Sequence, residues 1–286
     1  NRRYITRLEK CLKIRYKIYW GDIEELTYEL LMATLQKMIS KRFDEKGEHH
    51  QEMKRWDELK QRTFSQIKKK QASLFVIYDD GLPIEISLNY HLGEVLFSSI
   101  SSYDMDYSKF GLGHVEIYKQ LEWCLQNGYH TFEMGVGGMD YKARWSNYIY
   151  QFEHVVLHQD TTLTSRLFGN YEYHRIRLKE YLKSKKINEL KDRLTSFYKF
   201  KGFANENSKQ LDFTFELLSH APNESSLVKQ TYQCLLDKGF KKPFNDLLYK
   251  YSCPKSTVHI YEPLSLEGLV LNIEGQWIRV FSNPTK

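Results

Sequence analysis

The stretch FEMGVGGMDYKARW, residues 132 to 145, decides how this chain reads. Three glycines, Gly135, Gly137 and Gly138, fall within four positions, and Asp140, Tyr141, Lys142 and Arg144 follow at once. A surface turn needs one glycine and a core strand needs none. Clustered glycine removes the Cβ atoms that would keep a ligand away from the backbone. The stretch therefore reads as the end of a short buried strand, Thr131 to Met134, that brings backbone and then polar side chains to a bound molecule.

Upstream, Gly128 ends a helix whose inward residues are expected to be Val115, Tyr118, Leu121 and Leu125. A loop, Tyr103 to Gly113, leads into that helix. Before it the apolar period is two: strands at Leu74 to Tyr78, Ile84 to Tyr90 and Val95 to Ser101, the first pair joined by the hairpin turn Asp79-Asp80-Gly81. Further back the period is helical. Leu31, Leu35, Met38, Ile39 and Phe43 form one stripe behind an Asp22/Glu25 capping box, and Trp56, Leu59, Thr63, Phe64 and Ile67 form another. The chain opens with a short basic helix and an alternating strand, Leu12 to Tyr19. Downstream, Tyr150 to His158 reads as a last strand. This order predicts an α+β fold, a mixed and mostly antiparallel sheet with flanking helices, and a ligand crevice beyond strand ends.

Three segments are expected: residues 1–160 as the sheet domain, 161–203 as a basic helical extension, and 204–286 as a small α+β module. Leu178, Leu182, Leu190, Leu194 and Phe197 should be the buried side of the extension. The module should hold helices at Ser226 to Lys238 and Pro243 to Tyr251, then strands at Val258 to Tyr261, Gly268 to Ile273 and Trp277 to Phe281. The net charge of +6 is concentrated, since residues 165–201 carry 11 Lys and Arg against 4 Asp and Glu. No apolar run approaches the roughly 18 to 20 residues of a membrane span. Cys11, Cys124, Cys234 and Cys253 are scattered without a CxxC pair, which points away from zinc and disulfides and toward the cytoplasm. Glu48-His49-His50 has no third ligand in view, so no metal is expected. The first residue, Asn1, suggests a processed or truncated chain.

The element order resembles the GNAT superfamily of acyltransferases, and residues 1–158 are similar to the second half of its CelD-type and Fem-type branch. Four features carry this. They are the basic helix RRYITRLEK (residues 2–10), the helix ending Lys41-Arg42-Phe43, Tyr103-Asp104-Met105-Asp106-Tyr107 before Gly111-Leu112-Gly113, and Phe132-Glu133-Met134-Gly135 followed by Gly138 and Tyr141-Lys142. The resemblance implies acyl-CoA as donor, a sugar or glycan precursor as acceptor, and a preceding GNAT-like half ahead of Asn1. It also implies functional importance for Lys142 and a proton-donating role for Tyr141 toward the leaving thiolate.

Acyl transfer needs a base, a group to hold the developing oxyanion and an acid for the leaving group. Lys142, Tyr141, Asp104 and Glu133 are the catalytic candidates, with Glu133 as a buried tuned base or a partner of Arg or Lys. In SKFGLGH, residues 108–114, a glycine-led helix N-terminus favours an anion, so Lys109, Gly111, Gly113 and His114 are candidates for the donor's pyrophosphate. The superfamily's usual Arg or Gln three residues before the first glycine is Ser108 here. Tyr103, Asp106 and Arg144 are the acceptor-side candidates. The plainer alternatives are a structural turn, a solvated acidic loop, and Tyr141 packed on Trp145. The basic extension has three readings: a solvated helix face, a tRNA-phosphate surface for an aminoacyl-tRNA donor acting on a cell-wall precursor, or contact with an anionic membrane surface. A GNAT-like module without chemistry, docking through residues 204–286, is the reading outside the enzymes.

Overall fold

The computed structural model describes the chain apart from residues 1, 47–54, 136–139, 152, 159–161, 186–212, 224–225, 265–266 and 283–286. Gly137, Gly138, Glu48-His49-His50, Leu190, Leu194 and Phe197 therefore lie outside the described residues. Two compact units result: residues 1–145 together with 210–286, and residues 146–209.

The first unit opens with helix α1 (Arg2–Cys11) and strand β1 (Ile14–Tyr19). Helices α2 (Glu25–Lys46) and α3 (Trp56–Lys68) follow, α2 starting at Glu25 rather than at the Asp22 capping box. Strands β2 (Ala72–Asp79), β3 (Leu82–Leu92) and β4 (Val95–Tyr103) form the expected meander. Asp80 (φ 49°) and Gly81 (φ 89°) make the β2–β3 turn, two successive left-handed residues as a type I′ hairpin requires. A 3-10 turn, Met105–Phe110, leads to α4 (Leu112–Gln126), then β5 (Thr131–Glu133) and the single turn α5 (Asp140–Ala143). The sheet order is β1-β2-β3-β4-β5, antiparallel except for the parallel β4–β5 pair. Both sheet faces are covered. Leu31, Leu35 and Ile39 of α2 and Ile67 of α3 pack on Leu74, Val76, Ile86 and Leu88.

The other face holds a finding that the sequence did not suggest. Ile5 and Leu8 of α1, Phe75 and Ile77 of β2 and Val115 of α4 share one core with residues 235–280. Those residues come from α7 (Tyr232–Asp237), α8 (Lys241–Tyr251) and a second sheet of order β6-β10-β9-β8-β7. Its strands are β6 (Phe213–Leu217), β7 (Leu227–Gln230), β8 (His259–Pro263), β9 (Leu269–Ile273) and β10 (Gln276–Ser282). Here β6 was not foreseen, and β7 occupies the start of the expected helix at Ser226.

In the second unit, α6 (Leu163–Ser184) is the expected basic helix, but Leu178 is 59% exposed rather than buried. The expected strand at Tyr150 to His158 is absent among the described residues there; its alternating apolar residues, Val155 and Leu157 among them, are exposed. Among the described residues no helix is long and apolar enough to cross a membrane.

Candidate active site

Strands β4 and β5 pair only as far as Phe97 and Glu133. Beyond that point β4 continues to Tyr103 with a bulge, since Leu88 pairs with Ile100 and Asn89 with Ser98, leaving Ser99 as the extra residue. A bulge sharpens the local twist and bends the strand. A cavity of about 680 Å³ opens where the two strands part. Its walls are residues 98–103 of β4, the start of α4 from Gly111 to Ile117, Phe132, Met134, Tyr141 and Lys142, with Ile39, Arg42 and Phe43 from the end of α2.

At the α4 end, Gly111 adopts a left-handed conformation (φ 65°) and a Cβ there would lie 2.7 Å from the Tyr4 ring. The carbonyl of Gly111 accepts the His114 N–H at 2.9 Å. Among the described residues no side chain caps the helix, whose first amides belong to Leu112 and Gly113, and none comes close to a Cβ placed on Gly113. Such a terminus with its dipole suits an anion. His114 is stacked on Tyr4 with ring centroids 5.1 Å apart, and its Nδ1 accepts the Trp145 Nε1–H at 2.9 Å. With Nδ1 accepting, Nε2 carries the proton of the neutral ring. Burial, and then Arg144, hold the imidazole pKa below its ordinary value, which keeps it neutral. His114 thus presents an Nε2–H rather than a free ring nitrogen.

The other end of the cavity gathers around Lys142. Its Nζ donates to the Met134 carbonyl, which ties α5 back to the end of β5. Burial lowers its pKa, opposed by Glu116 and Glu133. Glu116 of α4 was not foreseen, although it lines the cavity and is 5% exposed. One of its oxygens accepts the Ser101 hydroxyl at 2.8 Å and the other accepts Gln120 Nε2 at 2.9 Å. Burial raises its pKa against these bonds and against Lys142. Behind it Glu85, wholly buried, has neither oxygen hydrogen-bonded among the described residues; burial and then Glu116 raise its pKa well above the glutamate range. Burial, then Glu116, also raise Tyr141, so the phenol keeps its proton. Arg42 lies 5.7 Å over the Tyr103 ring and adds a cation to the cavity wall.

Several sequence-predicted residues stand elsewhere. Asp104 does not line the cavity: it accepts the Asp106 N–H and pairs with Lys241 at 2.6 Å. Asp106 pairs with Lys41 at 3.3 Å and Lys109 with Asp246 at 3.1 Å, and neither lines the cavity. Glu133 is half-buried, not buried, and accepts the Gly135 N–H at 2.8 Å, holding the left-handed turn that leaves β5. Arg144 is exposed and outside the cavity lining. Tyr103, Gly111, Gly113, His114, Tyr141 and Lys142 are brought together. Among the described residues no group of His, Cys, Asp or Glu could hold a metal ion.

A mixed sheet thus parts between β4 and β5 over a glycine-led helix N-terminus, with an amine and a buried carboxylate in the gap. The model of the acetyltransferase (GNAT) domain matches residues 1–143, half of the chain, and the chain belongs to that family. No curated protein matches it. Among solved structures, an aminoglycoside acetyltransferase, meta-AAC0020, from an uncultured soil metagenomic sample and in complex with trehalose, is 11% identical with a TM-score of 0.37, over 51% of this chain and 97% of its own. A possible acetyltransferase from Clostridium difficile 630 is 12% identical with a TM-score of 0.36, over 50% and 98%. Similarity at this level says nothing of substrate.

Proposed function

We propose that this acyltransferase moves an acyl group from acyl-CoA to an amine or hydroxyl of a sugar or glycan precursor. The carrying observation is the cavity itself, which joins open helix amides for a phosphate group to Lys142 and Glu116 in one continuous lining. In this reading Leu112 and Gly113 meet the donor's pyrophosphate, and the free edge of β4 beyond Ser98 runs beside the thioester arm. The acceptor nitrogen or oxygen attacks the thioester carbonyl carbon. The new bond forms as the carbon–sulfur bond breaks, Glu116 takes the acceptor's proton, and Lys142 holds the carbonyl oxygen as it gains charge. Tyr141, kept protonated by burial, gives its proton to the departing thiolate. Ser98, Ser99 and Ser101 with the rings of Tyr103 and Tyr141 support a hydroxyl-rich acceptor that has an apolar face.

Calorimetric titration with acetyl-CoA and with free CoA tests the donor. Micromolar binding is expected, abolished by Gly113→Trp, which fills the open space beside the helix start. Folded wild-type protein that binds neither would overturn the donor assignment. A second reading, an aminoacyl-tRNA donor, is favoured by the exposed face of α6, where Arg166, Arg175 and Arg177 alternate with Phe168, Tyr171 and Tyr181. It requires RNA binding that weakens steeply with salt and is lost on charge reversal at Lys183, Lys185 and Lys186.

A further inference from the structure

Asp104, Asp106 and Lys109, expected from the sequence as a catalytic, an acceptor-side and a donor-pyrophosphate residue in turn, are held by one helix from the far end of the chain. Along α8, Lys241, Asn245, Asp246 and Tyr249 are spaced at i, i+4, i+5 and i+8, so they share a face. Lys241 Nζ reaches Asp104 Oδ2 at 2.6 Å and lies 4.9 Å over the Tyr107 ring. Asn245 Nδ2 donates to the Asp106 carbonyl at 3.0 Å. Asp246 takes Lys109, and the Tyr249 ring meets Phe110 edge-on at 5.4 Å. Each step along α8 thus engages the next stretch of the 3-10 turn, which ends at Gly111 and starts α4.

Lys241 and Asp246 on this face are partly exposed, whereas Asn245 is enclosed. Asn245 is 1% exposed, and burying an amide is unfavourable unless it is hydrogen-bonded. Its one protein partner among the described residues is the turn's own backbone. Beneath the turn, buried Asp79 accepts the Tyr107 hydroxyl at 3.0 Å and pairs with Lys255 at 3.4 Å, again from the C-terminal residues. The turn is fixed from three sides: α8, Asp79 and, through Lys41, α2.

We propose that α8 is a positioning element of the acyl-donor site. Lys241 and Asn245 set the Asp104–Phe110 turn so that the Leu112 and Gly113 amides stand ready for the donor's phosphates. This rests on the acyl-CoA reading above, and it gives the C-terminal residues a part in catalysis without contact with substrate. The test is the dissociation constant for acetyl-CoA by calorimetry, with melting temperature alongside, for the full chain and for Lys241→Ala, Asn245→Ala and Lys241→Arg. Lys241→Ala and Asn245→Ala should each weaken binding about fivefold, the factor that ~1 kcal/mol of lost positioning gives. Lys241→Arg keeps the ion pair and should bind within about twofold of wild type. Should Asn245→Ala not fold, Lys241→Ala, whose side chain is partly exposed, decides alone. Wild-type affinity in the folded alanine variants would overturn the positioning role while leaving the donor site standing. A wild-type chain that does not bind acetyl-CoA would overturn the donor reading, and this inference with it.

Discussion

Lys142 and Glu116 are opposite charges that burial works against, one lowered and the other raised. Their proximity to one cavity makes them the groups whose loss should be felt in turnover rather than in folding. Lys142→Ala is expected to lower acyl transfer at least tenfold, about 1.4 kcal/mol of transition-state stabilisation. Glu116→Gln should lower it as well, and the double variant should lose less than the sum, because the proposed mechanism has the two act as a unit. Steady-state rates with acetyl-CoA and a panel of amino and hydroxyl sugars would show this, and unchanged turnover in folded Lys142→Ala would remove that lysine from the mechanism. Glu85 behaves differently. Its pKa is higher in the folded than in the unfolded chain, so between the ordinary glutamate value and the folded value the native state holds the extra proton. Stability must then fall as pH rises through that window. Glu85→Gln should therefore raise the melting temperature at pH 8 and raise it less at pH 4.5; a constant gap would show that Glu85 does not titrate there.

Among the elements, α4 shows why part of the site was legible and part was not. The glycine spacing before it and the Tyr141-Lys142 pair after β5 mark the site in the sequence, because glycine next to charge has few structural uses. Glu116 escaped notice because apolar periodicity assigned Val115, Tyr118, Leu121 and Leu125 to the inner face. The helix instead buries Leu112, Val115, Glu116, Ile117, Gln120 and Cys124, and leaves Leu125 83% exposed. An inner face that carries a carboxylate and an amide defeats a rule built on hydrophobicity, and that conflict is itself a mark of function. The same blindness placed Asp104 among the catalytic groups and Lys109 at the donor's pyrophosphate, since the partners Lys241 and Asp246 are more than a hundred residues away. The start of α4 also makes a stability prediction. Gly111→Ala puts a Cβ into left-handed backbone, about 1–2 kcal/mol by itself, and against the Tyr4 ring in addition. Thermal melting should fall by several degrees, at roughly 2–4 °C per kcal/mol for a protein of this size. A melting point within a degree of wild type would mean that the turn can be rebuilt without glycine.

At the scale of the whole molecule, the sequence conveyed a meander followed by a crossover, because alternation, turn glycines and helical stripes are local signals. It did not convey that residues 210–286 complete the core under β2 and α1, since that pairing is decided by long-range packing of Phe244, Leu247, Leu271 and Ile278 with Ile5, Phe75 and Ile77. Deleting residues 210–286 should consequently leave residues 1–145 unable to fold cooperatively. Circular dichroism of the shortened chain should show no sharp thermal transition, and a cooperative melt would contradict the shared core. The arrangement has a further consequence for synthesis in the cell. The apolar floor of the first sheet emerges from the ribosome well before its cover: about 137 residues separate Trp145 from the end of β10 at Ser282. At ~5–20 residues per second, that leaves the floor exposed for roughly 7 to 30 seconds. A nascent chain of this design is a natural client for chaperones that shield open hydrophobic surface, and its yield should follow their supply more closely than that of a domain finished in sequence order.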